Sequence, residues 1–177
     1  SDLGFEYQQT ELRYVSNYKD GAWDEGGLTS DANVVINECA GVLQYAQTVF
    51  EGLKAYTTED GRIVTFRPDL NAERLIASSE RLEIPAITKE KFLDAIDQVV
   101  AANAAFVPPF GSGATLYIRP YIFASNPVIG VKPAEEYQFR IFLILREAQN
   151  RSQLKSAILT AQLLTERVIS KRDSTTL

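Results

Sequence analysis

Three short stretches of this chain carry residue types able to hold a charged ligand. The first is Leu43-Gln44-Tyr45-Ala46-Gln47-Thr48-Val49-Phe50-Glu51-Gly52-Leu53-Lys54-Ala55-Tyr56. Side chains alternate along a strand, so Phe50, Gly52 and Lys54 share one face while Glu51, Leu53 and Ala55 share the other. A glycine between two large same-face residues leaves a hole able to admit a ligand or another backbone; the plainer account is core packing beside a bend. The second stretch is Phe66-Arg67-Pro68-Asp69-Leu70-Asn71-Ala72-Glu73-Arg74-Leu75. It puts Arg74 in the first turns of a helix, where unpaired N–H groups and the dipole favour an anion, and a guanidinium can grip a phosphate bidentately. Arg74 can equally be a solvent-facing partner of Asp69 or Glu73. The third, Leu116-Tyr117-Ile118-Arg119-Pro120-Tyr121, sets Tyr117, Arg119 and Tyr121 on one side of a strand, a donor-rich wall suited to a carboxylate. Pairing of Arg119 with an acid at the core edge is the alternative.

The surrounding pattern says what must position these groups. Residues 12–18 mix β-branched and aromatic types and lead into the turn Lys19-Asp20-Gly21, so a hairpin is expected with Ala22-Trp23 opening its second arm. Residues 33–37 (Asn33-Val34-Val35-Ile36-Asn37) read as another strand. A further hairpin spans 50–67, with Glu59-Asp60-Gly61 as its turn and glycine where a positive φ is wanted. One helix is expected over 68–82, with Leu70, Leu75 and Leu82 among its apolar residues. A second runs over about 88–106, capped by Thr88 and striped by Phe92, Ala95, Ile96, Val99 and Val100. A Pro- and Gly-bearing loop covers 107–113, and strands resume at 114–124 and 137–145. Strands, two consecutive helices, then strands indicate an α+β domain with an antiparallel sheet. From 146 the apolar spacing turns helical through Leu154, Ala157, Ile158, Ala161, Leu164 and Val168, so the chain divides into a domain at 1–145 and a helical tail at 146–177. That tail is expected to pack on its own domain, with a self-associating or partner-binding helix as the alternative.

Bulk properties exclude several functions. The chain has 177 residues and a net charge of −5, too acidic to neutralise a nucleic-acid backbone or an anionic membrane. Apolar runs such as Ile141-Phe142-Leu143-Ile144-Leu145 are too short to span a bilayer. No histidine is present, which removes Ser-His and Cys-His nucleophile pairs and histidine metal sites. The single cysteine, Cys39, forms no internal disulfide, and a reducing, cytoplasmic setting is expected. Methionine is absent as well.

Taken in order, YxQxVFEGLKAY, a hairpin turning on EDG, FRPDxNAERL, VPPFGSGATLYIRP and IGVKPAEEY resemble the branched-chain amino-acid aminotransferases of the fold-type-IV pyridoxal-phosphate class. The likeness runs over about 14–142. It implies the N-terminal small domain of the D-amino-acid-aminotransferase-like fold, with pyridoxal phosphate held against a larger C-terminal domain, in homodimers that move amino groups between Leu, Ile or Val and 2-oxoglutarate. Carried over by position, Arg74 matches the arginine for the cofactor phosphate. Phe50 and Gly52 match walls of the side-chain pocket, and Tyr117 and Arg119 the YxR pair beside the substrate. Tyr45 and the loop at Gly130-Val131 match elements that reach into the neighbouring subunit's site.

The resemblance also implies what the chain lacks. The lysine that binds the cofactor covalently and the carboxylate that pairs with its pyridine nitrogen both come from the larger domain in the family. No catalytic residue is therefore assigned within this chain, which is expected to be inactive and not to bind the cofactor stably alone. The alternative function is a folded, non-catalytic scaffold or dimerisation module. Gln44 stands where histidine is frequent in the family, and Ala46 where glycine is usual. After Phe142 the family's proline- and glycine-containing linker is replaced by Leu143-Ile144-Leu145-Arg146-Glu147 and the helical tail.

Overall fold

A computed structural model of the chain describes residues 10–130 and 132–146. The expected tail at 146–177 lies, after Arg146, outside the described residues, as does Val131.

Alternation of apolar and polar residues builds an eight-stranded sheet whose main path is β2-β1-β8-β7-β5-β6. Its strands are β1 (Arg13–Lys19), β2 (Ala22–Trp23), β3 (Gly27–Thr29), β4 (Thr48–Phe50), β5 (Leu53–Thr57), β6 (Ile63–Thr65), β7 (Thr115–Ala124) and β8 (Tyr137–Arg146). Every pairing is antiparallel, with β3 beside β1 and β4 beside β7. Strands β7 and β8 form the centre, paired in unbroken register from Thr115↔Arg146 to Ala124↔Tyr137. Both expected hairpins form, and Gly61 closes the second at φ +82°.

Three α-helices are present among the described residues: α1 (Gly41–Tyr45), α2 (Pro68–Arg81) and α3 (Lys89–Ala102). Thr88 caps α3, its hydroxyl accepting from the Lys91 amide at 3.1 Å, which satisfies one of the orphan donors of the first turn. The stripe Phe92, Ala95, Ile96, Val99 and Val100 is fully buried. Helix α3 stops at Ala102, and a 3₁₀ turn (Ala104–Phe106) continues to the end expected for it. Helix α2 buries Asn71, Ala72, Leu75 and Ser79, whereas Leu70 and Leu82 are 40% and 44% exposed. Of the three leucines named for this helix only Leu75 is buried, because the inward face of α2 follows the 71-72-75-79 spacing.

Both helices cover one face of the sheet. The residues of that face are Tyr14, Val49, Leu53, Ala55, Leu116, Ile118, Ile122, Phe139, Ile141 and Leu143, all in the core. The opposite face carries Tyr117, Arg119, Tyr121, Phe142 and Ile144, each only part-buried.

One expected strand does not form. Residues 33–37 have no strand partner. The chain leading into this segment instead turns carbonyls toward two arginines of the sheet: Ser30 accepts from Arg13 at 2.6 Å, and Asp31 and Asn33 accept from Arg140 at 3.3 Å each. A guanidinium offers five donors in one plane, so it satisfies this backbone without a ladder. The short elements α1, β3 and β4 are too brief to leave a periodic signal in the sequence.

Candidate functional site

Strand alternation decides the geometry of the site. Phe50 faces Tyr121 and Leu53 faces Ile118 in one continuous register, and the Glu51 amide donates to the Pro120 carbonyl at 2.8 Å in the gap. Strands β4 and β5 thus behave as one strand along β7. Phe50, Gly52 and Lys54 project to the open face and Glu51 to the helix-covered face, as expected from the period of two.

On the open face Phe50, Gly52, Tyr117 and Arg119 form one cluster. The Arg119 guanidinium donates through Nε and Nη2 to the Tyr117 hydroxyl at 3.1 and 2.7 Å and lies 4.5 Å from the centre of the Phe50 ring. The hole at Gly52 is real but filled: a Cβ there would lie 2.3 Å from the Tyr117 hydroxyl. Glycine is required so that the tyrosine can lie across the strand and reach Arg119. Among the described residues Arg119 has no carboxylate partner. A cation held by an aromatic face and a neutral hydroxyl keeps its capacity to bind an anion. Phe50 itself is 62% exposed, an apolar surface beside that cation.

Arg74 is engaged on the other side of the sheet. Its Nε and Nη2 donate to the two Glu51 carboxylate oxygens at 3.1 and 2.7 Å, a bidentate pair. The same carboxylate accepts from the Asn71 amide at 2.8 Å, and that amide also reaches the Gly52 carbonyl at 3.3 Å. Glu51 is only 8% exposed. Its charge holds the Arg74 guanidinium even more firmly protonated than usual, chiefly through the hydrogen bond. The partners expected for Arg74 are occupied elsewhere: Asp69 pairs with Arg67 at 2.8 Å and Glu73 with Lys89 at 2.7 Å. Arg67 takes a left-handed conformation (φ +47°) at the head of α2, and its hydrogen bond holds the Asp69 carboxyl at a pKa of about 2.

Tyr45 closes α1, and its hydroxyl accepts from the Gly130 amide at 2.8 Å. Tyr45 and Gly130 are therefore in contact within one chain. Ala46, directly after Tyr45, adopts φ +51°, ψ +32°, the left-handed cap for which glycine is suited.

Glu51 and Asn71 were not singled out by residue type. The usable signal was an acid at an inward strand position, which needs a buried partner. No group of three or more potential metal ligands exists among the described residues. Nor is any helix among them long and apolar enough to cross a membrane.

Comparison with known proteins places this geometry. No protein-family model matches the chain. It is 46% identical over 142 residues to a branched-chain-amino-acid aminotransferase of Haemophilus influenzae, covering 80% of this chain and 41% of the relative. The corresponding enzyme of Helicobacter pylori is 44% identical over 141 residues, with 80% and 42% covered. A methionine aminotransferase of Arabidopsis thaliana is 46% identical over 142 residues, with 80% and 40% covered. Among solved structures, the branched-chain aminotransferase of Thermoproteus uzoniensis, crystallised with norvaline, superposes with a TM-score of 0.55 at 26% identity, covering 74% of this chain and 40% of that one. The Escherichia coli branched-chain aminotransferase superposes with a TM-score of 0.55 at 20% identity, over 80% of this chain and 40% of that one, and supports the fold. The chain spans about two-fifths of the length of the curated relatives it matches.

Proposed function

We propose, on the premise that this chain belongs to the N-terminal part of the branched-chain-amino-acid aminotransferase family, that it is the small domain of a pyridoxal-phosphate-dependent transaminase. Its substrates are amino acids with apolar side chains, branched-chain ones first. One observation carries the reading. Phe50, Gly52, Tyr117 and Arg119 stand together on one accessible sheet face, an apolar surface beside a cation that has no carboxylate partner among the described residues.

In this reading the Phe50 ring packs against the substrate side chain, and Arg119, oriented by the Tyr117 hydroxyl, donates to a substrate carboxylate. The cofactor, when bound, supplies the electron sink for the amino acid. The fit of this chain to that group is confined to the phosphate end. Glu51 uses Nε and Nη2 of Arg74, no described residue bonds its Nη1, and the side chain is 61% exposed, so one edge of the guanidinium is open to a phosphate. The covalent lysine and the carboxylate for the pyridine nitrogen are assigned to a larger domain. Tyr45 and the loop at Gly130-Val131 are assigned to the neighbouring active site of a homodimer, in a cytoplasmic enzyme.

Complementation tests the proposal. The chain is mixed with pyridoxal phosphate and the separately produced C-terminal domain of the Haemophilus influenzae relative. Amino transfer from leucine, isoleucine, valine and methionine to 2-oxoglutarate is then followed. Transfer by the mixture and by neither part alone is expected, fastest with a branched-chain donor. A co-purifying complex without turnover sinks the transaminase reading and leaves a scaffold.

A further inference from the structure

Glu51 does more than tie a strand to a helix. Arg74 is 61% exposed, and an exposed arginine on its flexible stem samples many rotamers in water. A phosphate that binds such a side chain must first order it, because the bidentate contact forms only when the guanidinium plane is correctly turned. In this chain the ordering precedes the ligand. Glu51 Oε1 takes the Arg74 Nε–H at 3.1 Å and Oε2 takes Nη2–H at 2.7 Å, which fixes the plane of the guanidinium and leaves Nη1 unused by any described residue.

The carboxylate is itself held from two sides. Its backbone amide donates to the Pro120 carbonyl at 2.8 Å within the sheet, and Oε2 also accepts from the buried Asn71 amide at 2.8 Å. Asn71 stands three residues before Arg74 on α2, so both side chains leave the same helix face, and its amide reaches the Gly52 carbonyl as well. Toward an incoming phosphate Glu51 has two opposed effects: its charge repels and its fork orients. The repulsion is small. A carboxylate and a guanidinium at hydrogen-bond distance nearly cancel when seen from outside, and solvent around the exposed arginine screens the remainder. Orientation is not screened, so orientation wins.

We propose that Glu51 is a positioning residue for phosphate recognition, presenting the free edge of Arg74 in a fixed orientation and acting through that geometry rather than through its charge. This role rests on the reading of Arg74 as the phosphate residue and is independent of the Phe50–Tyr117–Arg119 cluster.

Inorganic phosphate is the probe, titrated into the full chain with its affinity read from the phosphorus resonance. The Arg74 Nε–H resonance reports the fork directly. Saturable binding is expected, falling roughly tenfold in Arg74→Gln, which removes the fork's cation. Glu51→Gln removes a negative charge and should nonetheless weaken phosphate binding by roughly fivefold, as should Glu51→Asp, which keeps the charge and loses the reach. Both should return the Arg74 Nε–H resonance to the position of an unbonded arginine while the backbone amides of α3 hold theirs. Glu73→Gln removes an equal charge from the same helix and should leave affinity within about twofold. Tighter or equal binding in Glu51→Gln, or equal binding in Glu51→Asp, overturns the proposal and leaves Arg74 as the phosphate residue. Equal binding in Arg74→Gln, or none by the wild type, overturns the assignment of Arg74 and the proposal with it. If neither Glu51 variant folds, the wild-type resonance decides. It should keep its carboxylate-bonded position at saturating phosphate, and its collapse there means that phosphate displaces Glu51 and the proposal fails.

Discussion

Phe50 and Glu51 are sequence neighbours, yet they belong to regions that answer to different physical demands. On the helix-covered face Glu51 is enclosed, shared by Arg74 and Asn71, and ties strand to helix. On the open face Phe50 is exposed and rests against Arg119, which among the described residues is held by the Tyr117 hydroxyl and two aromatic rings. The covered arginine has a bidentate carboxylate; the open one has none among the described residues. Burial forces charge to be compensated from within the chain, whereas an open face can leave a cation for a ligand. The difference teaches that arginine count says little about binding and the sign of each arginine's partner says much.

Removing the covered carboxylate is expected to have the largest effect on this contrast. Glu51→Ala should cost about 1–2 kcal/mol in urea unfolding, mostly from the buried Asn71 amide losing an acceptor, since the exposed Arg74 half is screened by solvent. A loss indistinguishable from zero would show that the clamp is incidental. Ala46→Gly should act in the opposite direction. Relieving the left-handed conformation at φ +51° is expected to raise stability by about 0.5–1 kcal/mol, after the greater backbone entropy of glycine is subtracted. An unchanged thermal midpoint would mean the turn carries no strain. Arg119→Ala should change stability by less than about 1 kcal/mol, the range of an exposed cation–π contact. It should nonetheless abolish amino transfer in the complemented mixture; equal turnover would remove Arg119 from the substrate site.

The smallest effect concerns acid. Asp69 titrates at about 2 instead of 3.8 because Arg67 hydrogen-bonds its charged form. A carboxyl depressed in the folded state stabilises above its unfolded pKa, and that contribution is lost as pH falls from about 4 through 2. Asp69→Asn should flatten only this acid limb of the stability profile. A wild-type Asp69 carboxyl that titrates near 3.8 by NMR would contradict the Arg67 contact.

Much of this was legible in the chain itself. Apolar periodicity specified the two long helices, the inward stripe of α3 and the central strands, because a stripe of the right period has one way to leave water. Alternation also specified that Phe50 and Gly52 face away from Glu51, and the order of motifs specified the family relationship. Position in sequence could not reveal that Arg74 pairs with Glu51 rather than with Asp69 or Glu73, since the latter two are far nearer along the chain and only packing of α2 on β4 brings Glu51 into reach. Nor could local propensity show that residues 33–37 form no strand, because the arginines that claim the carbonyls just before and at the start of that segment lie on β1 and β8. Local pattern determined which faces and elements exist. Which charges meet, and which are left for a ligand, was decided by contacts between segments far apart in sequence.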